Sequence, residues 1–99
     1  MVGLDDGGNM LDRDGYPTEE ALNTIKTWNR GDRQLFEYIQ DLWWPGEWGF
    51  TVDGDEYRLA TGGWSGNEDI IGAMQDNFMF WMRCWMESHR GGLYVFRVR

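Results

Sequence analysis

The apolar run at residues 78–86 constrains the fold more than any other part of the chain. It reads Phe-Met-Phe-Trp-Met-Arg-Cys-Trp-Met, and a Gly-Gly pair at 91–92 separates it from a β-branched and aromatic run at 93–99. Two such runs around a glycine turn predict a β-hairpin. If Ser88 pairs with Leu93, Trp85 lies opposite Phe96. Both faces of the long strand are then largely apolar, which is typical of a strand covered on both sides.

A helix over 78–86 is the alternative, because Met, Phe and Trp occur in both helices and strands. The glycine turn and the β-branched partner run favour the strand. The sequence therefore predicts that this segment is a long strand of the sheet.

Two helices are predicted before the first hairpin. Thr18 can cap the first helix, and Gly31 is expected to end it. Asp32 can cap the second helix, which Pro45 stops. The link between the two helices is short, so an antiparallel pair is expected.

An Asp-Gly pair at 53–54 predicts a first hairpin with a type I′ turn. This register pairs Phe50 with Tyr57 and Trp48 with Leu59. Apolar residues then share one face of the hairpin. The other face is polar and carries Thr51, Glu56 and Arg58.

A third, short helix is expected after the glycine-rich segment at 62–66, where Ser65 and Glu68 have the spacing of a capping box. The predicted order of elements is α-α-β-β-α-β-β. This order indicates an α+β fold in which helices cover an antiparallel four-stranded sheet. Residues 17–99 are expected to form this single domain. Residues 1–16 are expected to be a flexible acidic arm.

Composition limits what the chain can build and bind. At 99 residues it forms one small core, which seven Trp can fill because each buries a large area. The net charge of −8 disfavours binding to nucleic acid or to an anionic membrane. The single cysteine, Cys84, allows no internal disulfide, which indicates a reducing cytosol. We find no long apolar run and no signal-peptide pattern, so a cytoplasmic protein without a membrane span is expected.

The reactive residue types are too few and too scattered to indicate catalysis. His89 is the only histidine, and it lies in a predicted turn beside Ser88. Cys84 lies within the predicted strand, where a buried and unreactive thiol is expected. A zinc site needs about four Cys or His ligands. The sequence therefore predicts a non-enzymatic protein with no metal and no cofactor.

The glycine-rich turn before the third helix is the candidate ligand site. Its backbone amides could bind an anion at the helix start, although two acidic residues in the first turn, at 68 and 69, oppose this. A phosphate would need a basic side chain folded over the turn. A purely structural turn is the simpler interpretation. The candidate residues are Gly63, Trp64, Ser65, Gly66, Asn67, Glu68 and Arg58.

One apolar face of the C-terminal hairpin is the candidate interface, because helices packed on one side leave the other uncovered. Exposed apolar patches mark partner surfaces, and homodimerisation is their simplest use. The candidate interface residues are Trp81, Arg83, Trp85, Tyr94 and Phe96.

The sequence resembles a group of small hypothetical proteins encoded by phages and prophages. The similar positions are 62–71, Phe80-Trp81, Trp85, Ser88, Arg90-Gly91-Gly92, Tyr94, Pro17-Thr18-Glu19-Glu20 and Leu42-Trp43-Trp44. The resemblance implies expression inside a bacterial host, and it carries no assigned activity.

Three functions fit these observations. The first is a phage accessory protein that binds a host or phage protein, for example to inhibit a host defence system. The second is a module that binds a nucleotide or sugar at the glycine-rich turn. The third is a virion or assembly component.

Overall fold

The computed structural model describes residues 10–44 and 49–98. Within these ranges the chain forms four helices and four strands, and the predicted α+β class with an antiparallel four-stranded sheet is confirmed. No helix in the described ranges is long and apolar enough to cross a membrane. The helices are α1 (Glu19–Lys26), α2 (Asp32–Leu42), α3 (Ser65–Asp76) and α4 (Phe78–Cys84), and the strands are β1 (Phe50–Asp53), β2 (Glu56–Ala60), β3 (Trp85–His89) and β4 (Leu93–Arg97).

The two N-terminal helices form as predicted, but their ends differ from the prediction. The Thr18 hydroxyl caps α1 by accepting a hydrogen bond from the Ala21 N–H at 3.1 Å. The helix then ends at Lys26, before Gly31. Gly31 is the N-cap of α2, and Asp32 is its first residue. Asp32 does not cap the helix because its carboxylate accepts hydrogen bonds from Arg83 instead.

The first hairpin has the predicted faces but a different register. Phe50 pairs with Leu59, and Asp53 pairs with Glu56, so the two-residue turn is centred one position later than predicted. Only the first turn residue, Gly54, has a positive φ, of 63°. This matches a type II′ turn rather than type I′. Each residue of β1 pairs with a residue of β2 two positions later than predicted. Because this shift is even, every side chain keeps its predicted face. The predicted partner at position 48 lies outside the described residues.

The segment 78–84 is a helix, so the predicted long strand is wrong. Asn77 caps this helix by accepting a hydrogen bond from the Phe80 N–H at 3.4 Å. The strand begins only at Trp85. A helix is favoured over a strand here because Phe80 and Cys84, one helical turn apart, can both be buried on the same side. In a strand these two residues would lie on one face together with Met82, which is exposed.

The sheet has the strand order β1-β2-β4-β3. Strand β3 is therefore at an edge, and all its residues are exposed, contrary to the prediction of a strand covered on both sides. The predicted pairing of Trp85 with Phe96 is confirmed, whereas Leu93 pairs with His89 rather than with Ser88. An irregularity between Trp85 and Glu87 absorbs this difference of one residue.

The core lies between the helices and one face of the sheet, and Phe36 of α2 is at its centre. The Phe36 ring stacks on Tyr57 of β2 at a centroid distance of 4.1 Å. It also contacts Phe80 of α4 and Phe96 of β4, each at 5.4 Å. One aromatic cluster thus joins α2, α4 and both central strands. Since α4 contributes Phe80 to this cluster, the position of α4 is set by the core.

Of the predicted N-terminal arm, the structure describes only residues 10–16. These form a turn closed by a bridge between Leu11 and Pro17. Asp12 stabilises the turn, because its carboxylate accepts hydrogen bonds from the N–H groups of Asp14 and Tyr16. Met10 and Leu11 pack against the core. This part of the arm therefore lies on the domain.

Candidate functional site

Helix α4 has an inner side that is part of the core and an outer side that faces solvent. Phe80 and Cys84 are buried on the inner side. Phe78, Met79 and Met82 lie on the outer side, and about two thirds of each side chain is exposed. The outer side is thus apolar without being covered.

The exposed apolar residues continue from α4 into β3. Trp85 and Met86 are exposed at the start of the strand, next in sequence to the helix. We call these five residues, Phe78, Met79, Met82, Trp85 and Met86, the outer apolar surface. Side chains of this size, which are between 41 % and 65 % exposed, present on the order of 500 Å² together.

Asn77 fixes the start of α4 to the end of α1. Its Nδ2 donates hydrogen bonds to the carbonyl groups of Ile25 at 2.9 Å and Trp28 at 3.0 Å. Its Oδ1 caps α4 at the Phe80 N–H. A single side chain thereby satisfies backbone groups of two helices.

Asp32 fixes the end of α4. Its carboxylate accepts hydrogen bonds from Arg83 Nη2 at 2.8 Å and Nε at 3.1 Å, and from the Cys84 thiol at 3.4 Å. The hydrogen bonds from Arg83 lower the pKa of the Asp32 carboxyl. With Asn77 at one end and Asp32 at the other, the helix holds the outer apolar surface in a fixed position.

A pocket of about 400 Å³ lies beside this end of α4, and Asp32, Met82, Arg83 and Cys84 line it. Burial raises the pKa of Cys84 to about 12, and the neighbouring carboxylate of Asp32 adds to the shift. The thiol is therefore protonated near neutral pH and is a poor nucleophile. Its location is buried, as predicted, although on a helix rather than in a strand.

The only histidine lies on a different element from the cysteine, which belongs to α4. His89 is exposed on β3, and its Nε2 lies 2.5 Å from Glu87 Oε2. In the described ranges no three or more His, Cys, Asp or Glu residues are placed to hold a metal ion.

The structure brings four of the five predicted interface residues together but exposes them to different degrees. Trp81 stacks on Trp85 at a centroid distance of 5.8 Å and contacts Tyr94 at 6.2 Å and Phe96 at 5.4 Å. Phe96 is fully buried, so it cannot contact a partner in this conformation. Trp81 and Tyr94 are half-buried against the core. Arg83 is exposed but paired with Asp32, and Trp85 alone belongs to the outer apolar surface.

Sequence reasoning missed the four other members of the outer apolar surface because it assigned a strand to 78–84. A signal was present in Asn77, a preferred N-cap residue directly before the run. The spacing of Phe80 and Cys84, four residues apart, also fits a helix with one buried side. Together these features could have identified α4.

The glycine-rich turn holds its predicted residues in structural roles. Asn67 is fully buried, and its Oδ1 accepts a hydrogen bond from the Trp44 N–H at 3.2 Å. Its Nδ2 donates to the carbonyl groups of Trp44 and Thr61. Asn67 therefore fixes the end of the α2 segment to α3, and its amide is already occupied.

The other residues of the predicted ligand site are not assembled for an anion. Trp64 is the N-cap residue of α3 without a side-chain cap, so the predicted capping box of Ser65 and Glu68 does not form. Gly63 has a φ of 77°. Arg58 lies on β2 and forms an ion pair with Glu56 at 2.7 Å. A phosphate at this turn would meet the exposed Glu68 without a compensating cation from Arg58.

Trp64 instead belongs to an exposed cluster of aromatic rings. Its ring lies 4.8 Å from Tyr16 and 5.7 Å from Trp44, measured between centroids. Gly66 lies beneath the ring, where a Cβ atom would overlap the indole. A groove of about 330 Å³, which we call the aromatic groove, is lined by Asp14, Gly15, Trp44 and Trp64.

Comparison with models of known protein families, with curated proteins and with solved structures gives no match for this chain.

Proposed function

We propose that the protein acts by binding another protein through the outer apolar surface. The observation that carries this proposal is that Phe78, Met79 and Met82 remain exposed on a helix whose other side is built into the core. Large apolar side chains grouped on the exposed side of a helix mark interaction sites on soluble proteins. The proposal includes no catalytic step.

The chemistry of the surface suits a protein partner. Three of its five residues are methionines, whose flexible and polarizable side chains adapt to irregular apolar partners. Its two aromatic residues, Phe78 and Trp85, are of the kind enriched at interfaces. The backbone beneath is held by Asn77 and Asp32, so little ordering is needed on binding.

The partner that fits is a different protein rather than a second copy. Each chain carries a net charge of −8, so two copies repel each other, whereas a basic partner is attracted. Pairing of two β3 edges is also disfavoured, because the irregularity between Trp85 and Glu87 disrupts the strand. We therefore infer a partner that presents an apolar site with basic residues around it.

The resemblance to small phage-encoded proteins favours a protein of a bacterial host as this partner. Inhibition of a host defence system is the most specific form of the proposal. A virion component is the competing form, and detection of the chain in purified phage particles would support it. The nucleotide or sugar site at the glycine-rich turn is not favoured. The side-chain amide of Asn67 already forms hydrogen bonds with the Trp44 backbone, and Arg58 is paired with Glu56.

Capture from a host lysate with matched variants tests the proposal. Met82→Glu places a charge in the outer apolar surface, and Val52→Glu places the same charge on an exposed apolar residue of β1. We expect a partner that binds wild type and Val52→Glu and binds Met82→Glu at least about tenfold more weakly, a change of 1.4 kcal/mol. Binding should then be measured with the purified partner.

Two outcomes would contradict the proposal. One is a partner whose affinity is the same for wild type, Met82→Glu and Met79→Glu. The other is a dimer in sedimentation equilibrium that Met82→Glu dissociates, because the surface would then be covered by a second copy. Thermal melts of every variant show whether the fold is intact in these comparisons.

A further inference from the structure

We propose that the aromatic groove binds an organic cation that carries a methylated ammonium group. None of the residues that line the groove belongs to the outer apolar surface. The lining residues, Asp14, Gly15, Trp44 and Trp64, bring two indole rings and one acidic residue to the groove. These are the groups that a weakly hydrated cation can contact directly.

The ring geometry forms a corner open to solvent. The planes of Trp44 and Trp64 are inclined at 53° with their centroids 5.7 Å apart. Tyr16 packs against Trp64 at a centroid distance of 4.8 Å and supports that ring. Trp44 is the most exposed of the three rings, and a cation in the groove can approach its indole within the 6 Å over which cation–π attraction acts.

The corner is held in place by groups around it. Asn67 bonds both the N–H and the C=O of Trp44, which fixes the backbone that carries this ring. Gly66 leaves the space that the Trp64 ring occupies. Trp44 is nevertheless 60 % exposed, although Trp usually contributes to cores. An exposed indole on a fixed backbone needs less ordering when a ligand binds.

The charge of the site selects the class of ligand. Asp14 lines the groove, and the whole chain is acidic, so phosphates and other anions are repelled. A primary ammonium would lose several hydrogen bonds to water and gain only one carboxylate partner. A methylated ammonium makes fewer hydrogen bonds to water and favours the faces of indole rings. The same head group occurs in free choline and in methylated lysine of a protein.

Titration with choline chloride at constant ionic strength tests this inference on the whole chain. The indole N–H signals of the protein, followed by NMR and assigned with Trp→Phe variants, report the binding site. We expect saturable shifts of the Trp44 and Trp64 signals. A peptide with a trimethylated lysine and its unmethylated form, titrated in the same way, show which source of the head group binds more tightly.

Three variants localise the effect. Asp14→Asn should weaken binding up to about fivefold, the range of an exposed ion pair. Trp44→Ala should weaken it by about tenfold, as expected for a lost cation–π contact. Asp53→Asn removes the same charge at the tip of the first hairpin and should leave the affinity unchanged.

Three control titrations test whether the groove recognises the positive charge of the ligand. If the neutral isostere of choline, with carbon in place of nitrogen, bound as tightly as choline, the groove would be an apolar site only. Shifts caused by glucose and not by choline would assign it to sugars. An absence of indole shifts with every cation would remove the site. Each of these three results overturns the inference.

Discussion

The two sides of α4 show how one short helix can serve two purposes. Phe80 and Phe78 are two positions apart, yet Phe80 is 1 % exposed and Phe78 is 64 % exposed. The residue type is the same, so the direction of the side chain alone decides whether it stabilises the fold. The apolar area that Phe80 buries contributes to folding, whereas that of Phe78 remains available for association.

Truncation of the two phenylalanines gives the largest expected difference between the sides. Phe80→Ala removes a ring that contacts Phe36 and Phe96, and we expect it to lower the free energy of unfolding by about 3–5 kcal/mol. Phe78→Ala should change it by no more than about 0.5 kcal/mol. Urea denaturation measures both values. Equal losses would show that the outer side is also packed.

Asn77 is expected to have the next largest effect, because it connects α4 to α1. Asn77→Ala leaves the carbonyl groups of Ile25 and Trp28 without this donor and removes the cap of α4. We expect a loss of about 2 kcal/mol. Gln75→Ala, at an exposed position of α3, is the control. A loss of stability of no more than about 0.5 kcal/mol is the effect of a neutral surface change. That result would show that the hydrogen bonds of Asn77 do not stabilise α4.

The same contrast between a crowded and an open side extends to α3. Gly72 has open space around it, so Gly72→Ala should stabilise the helix by about 0.5–1 kcal/mol. Gly66→Ala would overlap the Trp64 ring, and we expect a net loss of about 1 kcal/mol. Opposite signs in thermal melts, with shifted Trp64 indole signals for Gly66→Ala alone, would confirm the close contact. Stabilisation by both changes would exclude it.

The contact between Asp32 and Arg83 should have the smallest effect and a distinct pH dependence. The pKa of Asp32 is lower in the folded chain than in the unfolded chain, chiefly because of its hydrogen bonds to Arg83. Its contribution is therefore present above about pH 4 and is lost as the pH falls through the lowered pKa.

Asp32→Asn should accordingly lower the stability by about 0.5 kcal/mol at pH 7, since Arg83 is half exposed. The difference from wild type should disappear at acidic pH. Asp41→Asn, at an exposed position of the same helix, is the matched control. A difference that stayed constant with pH would show that the ion pair is not its cause.

Local patterns predicted much of the fold correctly. Thr18 identified the start of α1, and the alternation of polar and apolar residues placed Phe50 and Tyr57 on one face of the first hairpin. These features depend on neighbours in sequence, so a local reading is sufficient. The predicted register was wrong. A turn at positions 53–54 and a turn at positions 54–55 place the apolar residues on the same face, so the alternation does not distinguish them.

The candidate site was harder to predict because it depends on long-range contacts. Whether Phe80 or Phe78 is buried is decided by Phe36, more than 40 positions earlier in the chain. The aromatic groove likewise joins Asp14, Trp44 and Trp64, which no sequence spacing connects. Trp64 was identified as a candidate ligand residue, whereas Asp14, Gly15 and Trp44 were not.

The central position of β4 has a consequence for the kinetics of folding. This strand pairs with β2 on one side and β3 on the other, so neither hairpin alone completes the sheet. The chain between β2 and β4 must first be closed into a loop that contains α3 and α4. Such non-local pairing raises the contact order, which slows folding and favours a single cooperative transition in a domain of this size.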